Sequence, residues 1–256
     1  MRLEMPVALG AHYKSAAQRT RVVSEAWAEQ NLYCPSCPSP LLERSPTGTA
    51  AIDFTCPRCD SPFQLKSQSR PFSRRITDAA YEAMRRAVAE GRTPNLLALH
   101  YEPARWEVRN LILVPRFVFS FSAIEERKPL KSTARRKGWV GCNILLANIP
   151  PEARIPLIID GRLESPAAVR EQYARLRPLE QLSVDTRGWT LDVWNVVRAL
   201  GKQEFTLDDV YGFAGELARL HPRNRHVRDK IRQQLQILRD MGFLEFRGGG
   251  NYSLKP

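Results

Sequence analysis

Two Cys-x-x-Cys pairs, Cys34/Cys37 and Cys56/Cys59, stand eighteen residues apart in the stretch YCPSCPSPLLERSPTGTAAIDFTCPRC. Four thiolates at that spacing are the donor set of a zinc ribbon, in which each pair turns as a tight knuckle and the sulfurs close a tetrahedron. Both pairs, CPSC and CPRC, carry proline after the first cysteine. The alternative, a thioredoxin-like redox pair, requires a βαβ setting that the flanking sequence lacks. A site closed by four cysteines keeps no coordination position for chemistry, so the expected zinc is structural.

The second pair lies between two segments that read as strands. Residues 50–54 (AAIDF) carry one acid, Asp53, among apolar neighbours; residues 63–66 (FQLK) follow the knuckle. In a strand, Gln64 and Lys66 project to one face and Phe63 and Leu65 to the other, which assigns the second pair to a core. The zinc then staples the connection and holds Asp53 beside Gln64 and Lys66. An acid followed about ten residues later by (Glu/Gln)-x-Lys is one way to build a metal-dependent nuclease site. The plain alternative is a solvated acid and lysine on a strand edge.

The bulk composition narrows the partner. The 256 residues carry a formal net charge of +12, and 43% are hydrophobic, enough for one large or two ordinary cores. Such a cationic surplus favours a polyanion, nucleic acid or a membrane surface. No run approaches the ~18 apolar residues of a spanning helix, so no membrane partner is expected. The first fifteen residues lack the apolar core of a signal peptide. With five cysteines and no secretion signal, a reduced, zinc-bound, cytoplasmic chain is expected rather than a disulfide framework. Cys142 stands alone in an apolar, strand-like stretch.

Along the chain, residues 13–31 predict an amphipathic helix with Val22, Val23, Ala26 and Trp27 at helical spacing. Residues 75–91 predict another, capped by Thr77 or Asp78, with Ala80, Met84, Ala87 and Val88 on its apolar face and Gly91 at its end. Strands are expected at 95–100, 106–114, 142–148 and 154–160, and a helix at 165–177 with Pro166 in its first turn. The order is that of a mixed α/β core. Residues 127–139 (RKPLKSTARRKGW) hold six cations, including Arg135 and Arg136, and no acid, and end in Trp139. A solvated loop is one reading; a loop that tracks phosphates and offers an aromatic ring to a base is the other.

Residues 179–187 read as a linker to a second unit. Helices are expected at 190–200, from an N-cap at Thr206, and at 224–241, then a hairpin of 243–246 and 252–254 around a Gly-rich turn. Three helices followed by a hairpin is the winged-helix order, whose third helix enters the major groove. From Arg219 to Arg239 there are seven Lys/Arg against one acid, Asp229. Arg223, Asn224, Arg225, His226, Arg228 and Arg232 stand where base or phosphate contacts form, and Arg and Asn can pair bidentately with guanine and adenine. A winged helix used for protein contacts is the alternative, but the concentrated charge favours DNA. The four histidines, at 12, 100, 221 and 226, are scattered, which argues against a His-rich open metal site.

The segments YCPSC, IDFTCPRC, FQLKS, KPLKSTARRKGWVGCNI, DTRGWT, EFTLDDVY and KIRQQLQILRD together resemble the DpnI family of methyl-directed restriction endonucleases, over nearly the whole chain. The resemblance implies an α/β PD-(D/E)xK restriction-endonuclease-like core with an inserted zinc site over residues 1–182. It implies an α+β winged-helix domain over 183–256. The implied activity is Mg²⁺-dependent cleavage of double-stranded DNA at GATC carrying N6-methyladenine, by a type II enzyme of a restriction-modification system that is monomeric in isolation. By this resemblance Asp53 is the motif acid and Lys66 its lysine, with Asp53 and Gln64 as magnesium ligands. Cys34, Cys37, Cys56 and Cys59 are zinc ligands, and Trp139 senses the methylated base. Gln64 departs from the family pattern, which has an acid there. Glu25 or Glu29 of the first helix is a further candidate for the metal shell. The runner-up is a non-catalytic, zinc-containing winged-helix DNA-binding regulator.

Overall fold

The computed structural model describes residues 1–46, 49 and 51–255. After a short 3-10 turn, α1 (Ala16–Asn31) buries Val23, Ala26 and Trp27, the i, i+3, i+4 positions of its apolar stripe. The Trp27 indole N–H donates to the Arg2 carbonyl at 2.9 Å, which ties the N-terminal segment to the helix. The chain then enters the first knuckle. β1 (Glu43–Arg44) and β2 (Phe54–Thr55) flank the turn to the second, and β3 (Pro62–Gln68) leaves it.

Of the strand expected at 50–54, Ala50 lies outside the described residues, and Ala51 sits in a turn with φ +59°. Only Phe54 and Thr55 are laddered, because the chain is still turning at Ala51. Phe54 faces Phe63 across the β2–β3 pair, and both are fully buried.

The expected helix over 75–91 is half strand. β4 (Arg75–Ala80) alternates exposed and buried residues, with Ile76 and Asp78 inward, and only then does α2 (Tyr81–Ala89) begin. Thr77 and Asp78 are therefore not caps, and Ala80 belongs to the strand. The reason is tertiary pairing. β4 lies antiparallel to a distant strand, β8 (Gly141–Leu145), with Ile76 opposite Ile144 and Asp78 opposite Cys142. That ladder outweighs a local preference worth tenths of a kcal/mol per residue. Met84 and Val88 do form the buried face of α2, and Gly91 ends it at φ +63°.

β5 (Asn95–Glu102) and β6 (Glu107–Val114) form an antiparallel pair, and β5 is parallel to β3 with Gln64 beside Leu96 and Lys66 beside Ala98. β5 is buried from Asn95 to Leu99, the run of a central strand covered on both faces. With β9 (Ile155–Ile159) and β10 (Arg162–Leu163), these strands make a seven-stranded sheet in the order β1-β2-β3-β5-β6-β9-β10. A smaller sheet runs β4-β8-β7, where β7 is Ile124–Glu126.

α3 (Pro166–Leu176) starts as expected, with Ser165 Oγ accepting from the Ala168 N–H and Pro166 in the first turn. The linker read at 179–187 is corrected. A 3-10 turn covers Arg177–Gln181, and α4 (Val184–Ala199) begins with Ser183 as N-cap, six residues before the expected start. Arg187, Gly188 and Trp189, read as linker or boundary, are buried within α4. The second unit thus packs directly against the first. Asn195 Nδ2 donates to the Asn148 carbonyl at 2.7 Å, and Arg198 pairs with Glu152 at 3.0 Å.

The second unit then follows the winged-helix order with one refinement. Its middle helix is broken into α5 (Leu207–Tyr211) and α6 (Ala214–Leu220). Thr206 and Asp209 make a reciprocal capping box at α5. α7 (Val227–Asp240) buries Ile231, Leu235 and Leu238. β12 (Leu244–Gly248) and β13 (Asn251–Leu254) form the hairpin, and β11 (Glu204–Thr206) pairs with β13 to complete a three-stranded sheet.

Candidate active site and nucleic-acid interface

The four cysteine sulfurs come together. All ligand atoms of Cys34, Cys37, Cys56 and Cys59 lie within 4.8 Å of one another, with 3.7 Å from Cys34 to Cys59 and 3.5 Å from Cys37 to Cys56. A zinc–sulfur bond of ~2.3 Å sets the edge of a regular S₄ tetrahedron near 3.8 Å, so the sulfurs fit that ion. None of the four is in a disulfide. Burial pushes the Cys34 thiol up, so a thiolate there calls for a cation beside it. The knuckles are braced from outside. Arg170 of α3 donates from Nε to the carbonyls of Cys34 and Cys37, each at 3.1 Å, and from Nη2 to Ser39. Cys142 is separate, buried in β8 with its thiol pushed up to about 11 mainly by burial, an inert core residue.

The oxygen-bearing site lies at the other end of the same hairpin. Asp53 N–H donates to the Phe63 carbonyl at 2.8 Å, and its Oδ2 accepts from the Leu65 N–H at 2.7 Å. The acid is thereby pinned to β3 between Gln64 and Lys66, with Oδ1 left over. Phe63 is fully buried as expected, but Gln64 is buried too, at 7% exposure, and Leu65 only partly. On the Lys66 side the strand meets β4, where Lys66 Nζ lies 2.6 Å from Asp78 Oδ1. No hydrogen bond engages the Gln64 amide among the described residues.

Of the two glutamates proposed from α1, the fold selects one. Both are ion-paired, Glu29 with Arg44 at 2.9 Å and Glu25 with Arg21 at 3.3 Å and Arg44 at 3.9 Å, so what separates them is the cleft each reaches. Glu25 lines two adjoining clefts, one of about 300 Å³ that it shares with Asp53 and Arg44, the other of about 440 Å³ that it shares with Leu65 and Lys66. Burial holds its carboxyl above the ordinary value, and the Asp53 charge adds to this, against Arg21 and Arg44. The Glu25 and Asp53 carboxylates, on one shared cleft, are hard oxygen donors of the kind that suit Mg²⁺, whereas the Gln64 amide lines neither cleft. The donor set fits that ion.

The basic segments divide into two surfaces. In the loop before β8, the Trp139 carbonyl accepts from Leu130 N–H at 3.0 Å, and the Arg136 guanidinium sits 4.9 Å from the Trp139 ring centroid. The ring lies over Gly141, where an added Cβ would come within 2.9 Å of it, so only glycine leaves room for this seat. Arg135 is exposed beside it. In the second unit, Arg223 precedes the third helix as expected, and Asn224, Arg225 and His226, expected on that helix, precede it as well. They form the turn that precedes α7, where Asn224 Oδ1 accepts the His226 N–H at 2.7 Å. Arg228 and Arg232 are on α7 and both stack on Tyr211, at 5.0 and 5.8 Å, with Arg232 Nε also bonded to the Tyr211 hydroxyl.

Residues 1–182 match the DpnI model, the Dam-replacing family, and residues 185–254 match the Dam-replacing HTH domain. The chain belongs to the DpnI family. Membership indicates, in general terms, a methylation-dependent restriction enzyme, with α4 to β13 as its DNA-binding helix-turn-helix domain. No helix among the described residues is long and apolar enough to cross a membrane.

Sequence reasoning missed two residues within this DpnI-family site. Asp78 was read as a helix cap, and its acidic partner role has no local signature because Lys66 is reached only through the β4–β8 pairing. Tyr211, in the quoted EFTLDDVY segment, was not singled out, and no local signal marks it, because it ends α5 and meets Arg228 and Arg232 only when α7 packs beside it.

Proposed function

We propose that this DpnI-family chain is a type II, Mg²⁺-dependent restriction endonuclease. It hydrolyses double-stranded DNA at GATC carrying N6-methyladenine, with residues 1–182 as a PD-(D/E)xK nuclease domain and 183–256 as the DNA-reading winged helix. The observation that carries the reading is that Glu25 of α1 shares one cleft with Asp53, which is pinned to β3 through the Leu65 N–H, and the adjoining cleft with Lys66 of β3. Asp53, Glu25 and the Gln64 carbonyl oxygen would hold the metal. A bound Mg²⁺ supplies Lewis-acid polarisation of the scissile phosphate and a water of lowered pKa. Asp53 presents one oxygen to the site because the Leu65 N–H occupies the other, so its orientation is set before substrate arrives. Lys66 places a positive charge at the cleft, where it steadies charge developing on the phosphate.

Arg135 and Arg136 bind phosphates near the site. Trp139 packs against the adenine methyl group, a small apolar volume that cannot be read by hydrogen bonding. One methyl group in a pocket is worth only ~1–3 kcal/mol. A second reader, the turn from Arg223 to His226 with Arg228 and Arg232 behind it, multiplies that selectivity. The cysteine cluster holds a structural Zn²⁺ that braces the hairpin.

Gln64 favours one competing reading, a zinc-containing winged-helix regulator whose catalytic site has decayed. Plasmid DNA grown with and without adenine methylation, incubated with the protein and Mg²⁺, separates the two. Fragments from the methylated plasmid alone are expected. Binding without cutting, unaltered by Lys66→Ala, would leave the regulator.

A further inference from the structure

Asp78 is a carboxylate in an expensive place. Its side chain is 3% exposed, on β4 of the smaller sheet, between Ile76 and the β8 strand, with Cys142 opposite in register. A buried carboxylate is costly unless a cation or several N–H groups answer it. Among the described residues its Oδ1 is buried without a hydrogen-bond donor, and the Lys66 ammonium, its one cationic partner, faces it at 2.6 Å as an ion pair rather than as an aligned hydrogen bond. Lys66 itself keeps 26% of its side chain exposed and lines the 440 Å³ cleft with Glu25. The ammonium thus stands between a buried anion behind it and open solvent in front.

Lysine ends a flexible four-carbon stem, and free in a cleft it would sample many positions. An ammonium has three donors, and Asp78 engages only one side of it, leaving the rest for a ligand. The neighbouring position adds to the need. With glutamine at 64, the strand itself offers Lys66 no carboxylate two residues earlier on the same face. The anion has to come from another sheet, and Asp78 is the one that β4 delivers.

We infer that Asp78 is a positioning residue of the cleavage reaction, fixing the Lys66 ammonium at the mouth of the cleft as a stationary charge for the scissile phosphate. The inference rests on the endonuclease reading of the site. Displacing a catalytic group by about 1 Å can cost on the order of 10²-fold in rate. Removing the Asp78 charge should therefore lower kcat by roughly that factor and leave substrate affinity in place, because the DNA-binding cations lie elsewhere.

The test uses the full-length protein, adenine-methylated plasmid and Mg²⁺, with Lys66→Ala, Asp78→Asn, Asp78→Glu and the Lys66→Ala/Asp78→Asn double variant. Expected for Asp78→Asn is a kcat lowered on the order of 10²-fold with KM and DNA binding near the parent's. Asp78→Glu should recover part of that loss, and the double variant should cut no worse than Lys66→Ala alone. A parental kcat in Asp78→Asn, or losses that multiply in the double variant, would overturn the inference. Should Asp78→Asn fail to fold, Asp78→Glu decides alone: it keeps the charge but shifts it by a methylene. A lowered kcat at unchanged KM supports the role, and a parental kcat removes it. If Lys66→Ala cuts like the parent, the endonuclease assignment of Lys66 fails first, and the role given to Asp78 falls with it.

Discussion

One hairpin carries two sites built on opposite plans. At its tip, Cys56 and Cys59 meet Cys34 and Cys37 in a closed set of sulfurs, braced by backbone turns and by Arg170 from outside. At its base, Asp53 and Lys66 each share an open cleft with Glu25 from α1, Lys66 also meets Asp78 from β4, and Gln64 is buried two residues before it on β3. The closed site has the donors that a soft, tetrahedral ion needs and no room for a reactant. The open site has oxygens, an uneven charge and access. On the proposed function, stability rests on one end of this structural unit and reactivity on the other, and perturbing each end should read differently.

The largest expected effect comes from the closed end. Cys56→Ser, or removal of zinc with a strong chelator, removes binding energy that is also folding energy. Losing even ~4 kcal/mol lowers Tm by roughly 8–16 °C in a domain of this size, and cleavage should disappear with the fold. Thermal unfolding alongside metal analysis checks this. Protein that carries no zinc yet melts at the same temperature would break the contrast outright.

At the open end, Lys66→Ala should lower the cleavage rate by about 10²–10³-fold, as for loss of one group that stabilises developing charge. DNA binding should persist, and in the Lys66→Ala/Asp78→Asn double variant, which leaves no unanswered buried carboxylate, Tm should fall by far less than on zinc removal. Gel-shift binding and calorimetry on the same preparation make the comparison, and collapse of the fold would show that the two ends are not separable.

Trp139→Ala should leave cleavage of methylated DNA measurable but compress the methylated-to-unmethylated rate ratio by about 10–200-fold, the range for one methyl group in a pocket. An unchanged ratio would take the methyl-sensing role away from Trp139. Smallest of all, Gln64→Glu should keep or modestly raise Mg²⁺-dependent cleavage and lower the magnesium concentration required, since a carboxylate replaces a neutral oxygen donor. A magnesium titration measures it, and complete loss of cutting would argue that Gln64 is not a metal ligand.

How far the sequence could be read tracks how local each interaction is. The cysteine cluster was legible because its four ligands come in two i, i+3 pairs with a recognisable gap. The capping of α5 by Thr206 and Asp209, and the start of α3 at Ser165 and Pro166, were legible for the same reason. Residues 75–80 were misread as helix because RITDAAYEAM satisfies helical patterning locally, and only Ile144 and Cys142, more than sixty residues away, convert it to a strand. The linker read at 179–187 failed similarly: Ser183 caps a helix whose buried face exists only once α7 packs against it.

By itself, then, the sequence determined the cluster of four sulfurs, the family, the order of most elements and the two basic surfaces, all carried by residue types at short spacings. Tertiary structure alone decided which glutamate of α1 faces Asp53, and that Asp78 answers Lys66. It also decided that residues 224–226 form a turn rather than a helix, and that Trp139 rests over Gly141. Those are meetings between strands and helices far apart in the chain. No local pattern encodes them, because the energy that decides them is released only when the sheets pair and bury their faces.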